Sequence, residues 1–554
     1  MPPAPKVPRS SRTDPHGWVL VLPDQLHPEV GPLAVGVRGR RVVLVESGEW
    51  LSRRPYHVQR VALVLLNQRA FADELRAGGA EVRELRTGGS MLDALRAFAA
   101  EHGPLVAAEP AEREVRAELA PLVEAGALGW VPNRTWLSTA DDFRAARTAA
   151  GGFRMDAFYR ALRQRTGILM EPDGSFAGGR LSFDTENRER WDGIPAAPDP
   201  PRFAMDERRR DVAREIAERY AAHPGRLDLE TLPGTRADAE RLWTWAVGHC
   251  LPHFGPYEDA ISTRSTGLFH TRISPALNLS RILPRELVEG ALASGAPIQS
   301  VEGFVRQVLG WREFVRHVHA ATDGFRQGAR TAEVPGDAGF AAWAGRAWQP
   351  AADAPAGVDG GGCPSHLGAA TQLPPAYWGK ASGLRCLDTV VASVWDEAWS
   401  HHITRLMVLG NIASLLDVDP RALTDWFWVA YMDAWDWVVE PNVLGMATFA
   451  AGGVMTTKPY VAGAAYIDRM GDCCEGCAFT PDRTCPLTRL YWAYLARHEA
   501  TLRTNPRMAQ VLASLRKRAP EERSRDAAAF VHVRDVLVRG ERLEPSPTFE
   551  RPKR

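Results

Sequence analysis

Between residues 18 and 140 the apolar positions switch repeatedly between two patterns. WVLVL (18–22) and RVVLVES (41–47) are short, nearly continuous apolar runs, which suits strands buried on both faces of a parallel sheet. Between such runs the spacing becomes helical. A long amphipathic helix is predicted over about 54–77, with Val61, Leu65, Leu66 and Leu75 among its apolar residues. EVREL (81–85), a helix near 90–101, PLVAAEP (104–110), a further helix and LGWVPN (128–133) continue the alternation. This pattern predicts an α/β domain with a parallel sheet. Residues 141–235 are charged and broken by PDG, AGG and PAAPDPP turns, with aromatic patches in FRMDAFYR and LSFDTENRERW. They read as a connector that wraps between domains. From about 236 the period is helical, in RLWTWAVGHCL, EGFVRQVLGWREFVRHVHA, VVASVWDEAWSHHITRLMVLGNIASLL and DPRALTDWFWVAYMDAWDWVV. A loop is predicted at 350–363, and a final helical stretch begins near Pro486. The expected division is a disordered leader (1–16), an α/β domain (17–140), the connector (141–235) and a large all-α domain (236–554).

Composition narrows the function classes. Lys+Arg and Asp+Glu both number 67 in 554 residues, so any basic groove is local and offset elsewhere. Seven cysteines, an odd number in a long chain, argue against a disulfide framework. The first seventeen residues hold no apolar run, and no stretch of about 18 apolar residues occurs anywhere. A cytoplasmic protein with reduced thiols is expected. Eighteen tryptophans against ten tyrosines make redox-active indoles worth weighing. The N-terminal domain lacks G-x-G-x-x-G and a P-loop, so it carries no nucleotide fingerprint. Asp24 and Gln25 follow the first strand, Glu46 ends the second and Glu109 a later one, at the strand ends where ligands of such sheets bind.

Chemistry concentrates in the C-terminal half. Cys474, Cys477 and Cys485 read C-x2-C-x7-C, and Cys386 lies upstream. Thiolates at such spacing suit an iron–sulfur cluster or zinc, with a disulfide set as the bland alternative. Cys473, beside Cys474, is an extra thiol. Cys250 reads as a core residue and Cys363 as a loop residue. T-x-x-S-P-A-L-N, at Thr271, Ser274, Pro275, Leu277 and Asn278, places short hydroxyls and an amide before a helix, which suits backbone and phosphate hydrogen bonds. EGFVRQVLGWREFVR (302–316) follows, then WSHHITRLMVLGN (399–411) and MDAWDWVVEPNVLGM (432–446). Arg405 stands three and four residues from His402 and His401 and shares their helix face.

This run of motifs, in this order, resembles the photolyase/cryptochrome superfamily, and within it the bacterial iron–sulfur branch, the deoxyribodipyrimidine photolyase-related proteins. The likeness extends to L-x-D-Q-L at Leu22, Asp24, Gln25 and Leu26, to FRMDAFYR with SFDTENR, and to the cysteine tail. It implies FAD in the helical domain, with Thr271, Ser274 and Asn278 on its phosphates and ribose. Glu302, Trp311 and Arg312 would line the pocket, and Arg405, Asp433, Asp436 and Asn442 would surround the isoalloxazine. It also implies a [4Fe–4S] cluster on Cys386, Cys474, Cys477 and Cys485.

The same resemblance puts His401 and His402 opposite the lesion, one as proton donor, with Tyr460 and Tyr466 contacting a flipped-out base. Trp378 and Trp426 match an electron-transfer chain. Phe427 stands where a tyrosine is common, and phenylalanine resists oxidation. Asp24, Gln25 and Glu46 fall at the place of a 6,7-dimethyl-8-ribityllumazine antenna, near His57-Val58-Gln59-Arg60. The implied activity is light-driven repair of (6-4) pyrimidine photoproducts in UV-damaged DNA, by a monomer. The rival is a cryptochrome-type blue-light photoreceptor that uses the same pocket and repairs little.

Overall fold

The structure, a computed structural model, describes residues 17–327 and 361–551. The expected leader (1–16) and most of the predicted 350–363 loop lie outside the described residues. Five parallel strands form one sheet in the order β3-β2-β1-β4-β5: β1 (Trp18–Val21), β2 (Arg41–Ser47), β3 (Glu81–Thr87), β4 (Leu105–Ala108) and β5 (Leu128–Val131). Each pairs in parallel with its neighbours, with Trp18 opposite Arg41 on one side and Leu105 on the other. The apolar runs of β1 and β2 are buried as expected, whereas edge strand β3 sets exposed Glu81, Arg83 and Arg86 among half-buried residues.

The helix predicted over 54–77 runs Val58–Ala77, and it is not amphipathic. His57 caps it, its ring Nδ1 accepting from the Gln59 N–H at 3.1 Å. Polar residues Gln59, Arg60, Asn67 and Gln68 are buried along with the apolar ones. The reason is a second partner. One side faces the sheet, where Gln68 bonds the Val45 carbonyl at 3.2 Å. The other side meets distant chain: Arg60 reaches the Trp428 carbonyl at 3.2 Å and Asn67 the Pro233 carbonyl at 2.9 Å. Buried polar groups hold their place only when bonded in this way.

The order of strands reverses between β1 and β4, so the crevice at their carboxyl ends is a topological switch point. The helical part docks there. Ser280 Oγ donates to the Asp24 carbonyl at 2.7 Å, Leu26 N–H to the Leu279 carbonyl at 3.0 Å, and buried Arg281 to the Leu26 carbonyl at 2.9 Å. Helices Met155–Thr166 and Glu207–Arg219 lie in the 141–235 stretch, which touches both sides: Gln59 bonds Thr231, and Arg226 N–H bonds the Trp395 carbonyl.

From Arg236 on the described chain is helical. Four of its helices contain π-turns: Ala246–Cys250, Arg306–Arg312, Thr404–Gly410 and Pro441–Ala447. Such turns widen a helix by one residue and cluster at functional sites. Cys363, read as a loop residue, lies outside helix and strand but is buried. No helix among the described residues is long and apolar enough to cross a membrane.

Candidate functional site

Three motifs that are far apart in sequence meet around Asp433. Its carboxylate accepts from Ser274 Oγ at 2.6 Å and from both Nη atoms of Arg405 at 3.1 and 2.9 Å. Its backbone carbonyl accepts from Asn278 Nδ2 at 2.9 Å. Arg312 Nε donates to Asn278 Oδ1 at 3.4 Å, and Trp399 Nε1 to Ser274 Oγ at 3.4 Å. The Arg405 guanidinium sits 4.1 Å from the Tyr431 ring centre and donates to the Ser400 carbonyl. Arg312 lies over Trp136 and Trp437, at 4.1 and 5.2 Å. The backbone feeding this cluster is strained: Leu268, Arg272 and Ser280 all have positive φ, at 44°, 54° and 58°. Non-glycine residues adopt that region rarely and tend to do so at functional sites. Thr271, buried, lies in this segment.

Not every predicted pocket residue joins the cluster. Glu302 is buried but turned to the connector, accepting from the Phe183 N–H at 3.0 Å beside Arg306. Asp436 faces the α/β domain, where it accepts the N–H groups of Arg113 and Glu114 at 2.6 and 3.1 Å and so caps helix Arg113–Glu124. Asn442 donates to the Val438 carbonyl one turn back, and half-buried Trp311 packs edge-on to Phe314.

His401 and His402 are joined by two residues that motif reading did not select. His270 stacks on His401, ring centres 4.4 Å apart and 10° from parallel, and stands edge-on to His402 at 5.5 Å. Asp259 approaches His402 Nε2 at 3.4 Å and accepts from the Tyr466 hydroxyl at 3.4 Å. Burial pushes His270 and His401 well below the ordinary histidine range, and neighbouring cations push the same way. Burial also opposes charge on His402, but Asp259 and Glu258 overcome it and its pKa is raised. The group is therefore pushed in opposite directions, His402 toward its charged form and His270 and His401 toward the neutral one. Burial, and after it Asp184, raises the pKa of half-buried Tyr460 against the opposing Arg507 and Arg188, and Arg188 lies 3.8 Å from Asp259.

Among the described residues the ring contacts link Trp378 to Trp426 through a third indole. Trp395 lies between them, stacked on Trp378 at 5.2 Å and edge-on to Trp426 at 6.3 Å. The indole N–H groups of Trp395 and Trp426 both donate to the Tyr377 carbonyl, at 2.9 and 2.8 Å, which fixes their spacing. Trp426 is edge-on to Tyr431 at 6.0 Å, and Tyr431 carries Arg405 on its face. Phe427, which cannot serve as a redox relay, stacks on Tyr431 at 5.4 Å. The aromatic series Trp378–Trp395–Trp426–Tyr431 thus leads from half-buried indoles to the Asp433 cluster.

Among the described residues no disulfide joins Cys250, Cys386, Cys473, Cys474, Cys477 or Cys485 to another of them. Cys386 is buried, and its thiol is pushed well up by burial and then by Cys485, Cys473, Cys474 and Cys477. Five sulfurs therefore share one neighbourhood. Among the described residues no three His, Cys, Asp or Glu side chains converge closely enough to constitute a metal site as they stand.

At the switch point, Gln25 Nε2 donates to the Ala108 carbonyl at 2.8 Å, and Glu46 is held by Arg69 through bonds of 2.9 and 2.8 Å. Among the described residues no arginine or lysine clamps Asp24 in this way. Burial raises its pKa to about 7, Asp436 adds to the shift, and backbone bonds and Arg116 oppose it. An acid whose pKa is higher folded than unfolded binds more protons when folded, so stability falls as pH rises between about 4 and 7. Asp24→Asn removes that loss. Its melting temperature relative to the parent is expected to rise by a few degrees between pH 4 and pH 8, measured by thermal denaturation at both. A pH-independent difference would mean that Asp24 is charged in the fold.

Comparison with known proteins agrees with this architecture. The family model of the deoxyribodipyrimidine photo-lyase-related protein matches residues 19–231. A protein of Agrobacterium fabrum named (6-4) photolyase is 32% identical over 550 residues, covering 93% of this chain and 99% of its own. The crystal structure of a bacterial class III photolyase from Agrobacterium tumefaciens superposes with a TM-score of 0.53 at 14% identity, over 95% of this chain and 99% of that one, a likeness of fold. Identity of that level over nearly the full length of both chains establishes that the protein belongs to the photolyase-related family.

Proposed function

We propose that this protein is a light-driven DNA photolyase that repairs (6-4) pyrimidine photoproducts. The observation that carries the reading is the acid–base group of His402, Asp259 and Tyr466 beside the Arg405–Asp433 cluster. A flavoprotein needs polar partners for a dinucleotide. The fold supports that fit, because among the described residues the buried atoms Arg312 Nη1, His401 Nδ1 and His270 Nε2 have no hydrogen-bond partner. Each orphaned atom costs about 1–3 kcal/mol unless a ligand or water satisfies it. Ser274, Asn278, Arg312, Arg405 and Asp433 would hold the FAD, with Thr271 beside them. Reduced flavin, when bound and excited by blue light, supplies the single electron that lesion cleavage requires.

The chain's own part is to bind, orient and move one proton. Arg405, fixed by two bonds to Asp433, sets a cation where negative charge accumulates. His402 is partly exposed, Asp259 keeps it charged, and it donates the proton to the lesion. Tyr460 and Tyr466 form the facing wall for an extruded base. Five crowded thiols repel one another as thiolates, and a bound cation reverses that cost, which favours a [4Fe–4S] cluster on Cys386, Cys474, Cys477 and Cys485. Asp24, Gln25 and Glu46 would face a lumazine antenna, although Gln25 and Glu46 already have protein partners. We further propose a cytoplasmic enzyme that acts as a monomer on DNA.

The deciding experiment is repair of a defined (6-4) oligonucleotide under blue light, alongside the absorption spectrum of the purified protein. A flavin spectrum with no repair of (6-4) or cyclobutane lesions would favour a photoreceptor. For the cluster, Cys386→Ser is expected to lose its iron and acid-labile sulfide while Cys473→Ala keeps them. Stoichiometric zinc in the parent protein would overturn the assignment. For the relay, Trp395→Phe is expected to slow flavin photoreduction several-fold without releasing flavin. An unchanged bleaching rate under blue light would show that electrons take another path.

A further inference from the structure

Residues 543–551 run from the element that carries Cys386 to the loop that ends at Cys485. At one end the Leu543 N–H donates to the Ser382 carbonyl at 2.9 Å. The next residue, Gly383, has φ 84°, and a Cβ there would overlap the Leu543 carbonyl oxygen, so the two backbones touch. The N–H groups of Ser382 and Gly383 donate to the Asp388 carboxylate at 2.8 and 3.1 Å. Those bonds fix the start of helix Arg385–Glu397, whose second residue is Cys386. At the other end the Arg551 N–H donates to the Arg483 carbonyl at 3.0 Å, and the Arg551 guanidinium donates to the Pro481 carbonyl. Both carbonyls belong to the seven-residue loop between Cys477 and Cys485. Midway, buried Phe549 stands edge-on to Phe479 of that loop at 6.1 Å and beside His532 at 5.6 Å. Arg489, one turn past Cys485 and fully buried, donates to the Phe549 carbonyl at 3.1 Å and to the Glu550 carbonyl. Asp526 and Glu522 of helix Pro520–Val538 hold its charge, at 3.0 and 3.2 Å.

We infer that residues 543–551 are a strap across the thiol group: they join the Cys386 helix to the Cys485 loop, hold that loop closed and keep the Cys485 thiol from solution. Phe549 is its plug, and Arg489 and Arg551 are its fastenings. The inference rests on Cys386 and Cys485 being ligands of one group, as proposed above. The loop itself has little to hold it. Its turn closes through the Cys485 N–H on the Thr480 carbonyl and the Thr480 N–H on Thr484 Oγ1, both at 2.8 Å. Of its seven residues, Phe479 is buried and the rest are exposed or half-buried. A segment with so few buried contacts opens locally at low cost. Yet Cys485 at its foot is buried, while Cys474 and Cys477 are half-buried. The two Arg551 bonds and the Phe549–Phe479 contact supply what the loop lacks. The strap is anchored in turn, because Arg489 bonds two of its carbonyls from the helix that Cys485 begins.

The experiment treats the purified full-length protein with an iron chelator and iodoacetamide together and follows each cysteine by mass spectrometry. R551P lacks both the N–H and the guanidinium that reach the loop, since proline has no backbone donor. R551A lacks the guanidinium and keeps the N–H. F549A removes the plug, and F549L restores an apolar side chain. Cys485 is expected to react about tenfold faster in R551P than in the parent, the size set by the loss of one or two hydrogen bonds, with R551A between them. Cys386, whose end of the strap is untouched, should accelerate less. F549A is expected to expose Cys485 at least as much as R551P does, and F549L to restore most of the protection. Cys250, buried in the π-turn at Ala246–Cys250, should keep its parental rate in every variant, because a strap opens locally. R551P decides the matter if F549A does not fold. A Cys485 rate unchanged in R551P and F549A, or a Cys250 rate that rises in step with it, overturns the inference. If the purified protein carries no iron, the proposed cluster fails, while the Cys485 rates still decide the strap.

Discussion

His402→Ala is expected to abolish repair of a (6-4) lesion, lowering the yield per photon by about 10²–10⁴-fold, the usual contribution of a positioned general acid. Flavin content and DNA affinity should not change. His402 is 40% exposed at its side chain, and among the described residues its ion-pair partner is Asp259 at 3.4 Å, which keeps Arg188 at 3.8 Å and the Tyr466 hydroxyl when the imidazole is removed. The loss should therefore appear in turnover and not in the dissociation constant. His401→Ala should behave differently. His401 is 3% exposed and stacked on His270, and burial holds its pKa well below the ordinary histidine range, which favours its neutral form. Its loss should cost stability first. The sign with pH follows from the raised pKa of His402: the acid form is complete at low pH and disappears as pH rises through the folded value, so repair declines on the alkaline side. Repair yields for both variants across pH, with a binding titration at two salt concentrations, separate these effects. DNA binding itself should weaken with salt, because phosphate contacts release counterions whatever the net charge. Equal repair by parent and His402→Ala would remove His402 from the mechanism.

The parts of this molecule that sequence exposes are those in which one short segment states its own environment. WVLVL and RVVLVES are apolar on both faces because both faces of their strands are covered, and they appear where expected. Ser274, Asn278, Arg405 and Asp433 were legible because each sits in a compact motif, and they converge. The Val58–Ala77 helix was misread as amphipathic because periodicity records a single buried face, and this helix has a second partner more than 160 residues away. Distance in sequence also hid Asp259, which meets Tyr466 across 207 residues. His270 immediately precedes the T-x-x-S-P-A-L-N motif, but nothing in a single sequence marks which of fifteen histidines will stack on His401. Trp395 was masked by abundance, since eighteen tryptophans make any one of them look like core. The departure at Phe427 drew attention to a lost relay, whereas the structure offers Tyr431, stacked on that same phenylalanine and against Arg405. Asp436 was grouped with Asp433 by proximity in sequence. A change of backbone direction between them sends one carboxylate to Arg405 and the other to the N-terminus of a helix in the α/β domain.

Asp433→Ala is expected to be the most damaging single change at the cluster, costing about 3–5 kcal/mol, the penalty for removing one partner of a buried ion pair. Asp433 is 3% exposed, and its carboxylate accepts from Ser274 and from both Nη atoms of Arg405. Without it Arg405 retains, among the described residues, the Ser400 carbonyl and the face of Tyr431, and burial then works against its charge with Tyr431 alone to oppose it. The Asn278 bond to the residue 433 carbonyl survives, since it is made to backbone. The helix start at Ser274 therefore loosens on one side only. The result should be a protein that folds with a lower denaturation midpoint and elutes without flavin. A pair such as Arg405→Met with Asp433→Leu should cost less than the sum of the single changes, because it leaves neither charge stranded. Chemical denaturation of the flavin-free forms isolates this stability effect from the contribution of the ligand, which would otherwise stabilise the parent by mass action. If Asp433→Ala is as stable as the parent and keeps its flavin, Arg405 does not depend on Asp433. The cluster would then not be the anchor of the site.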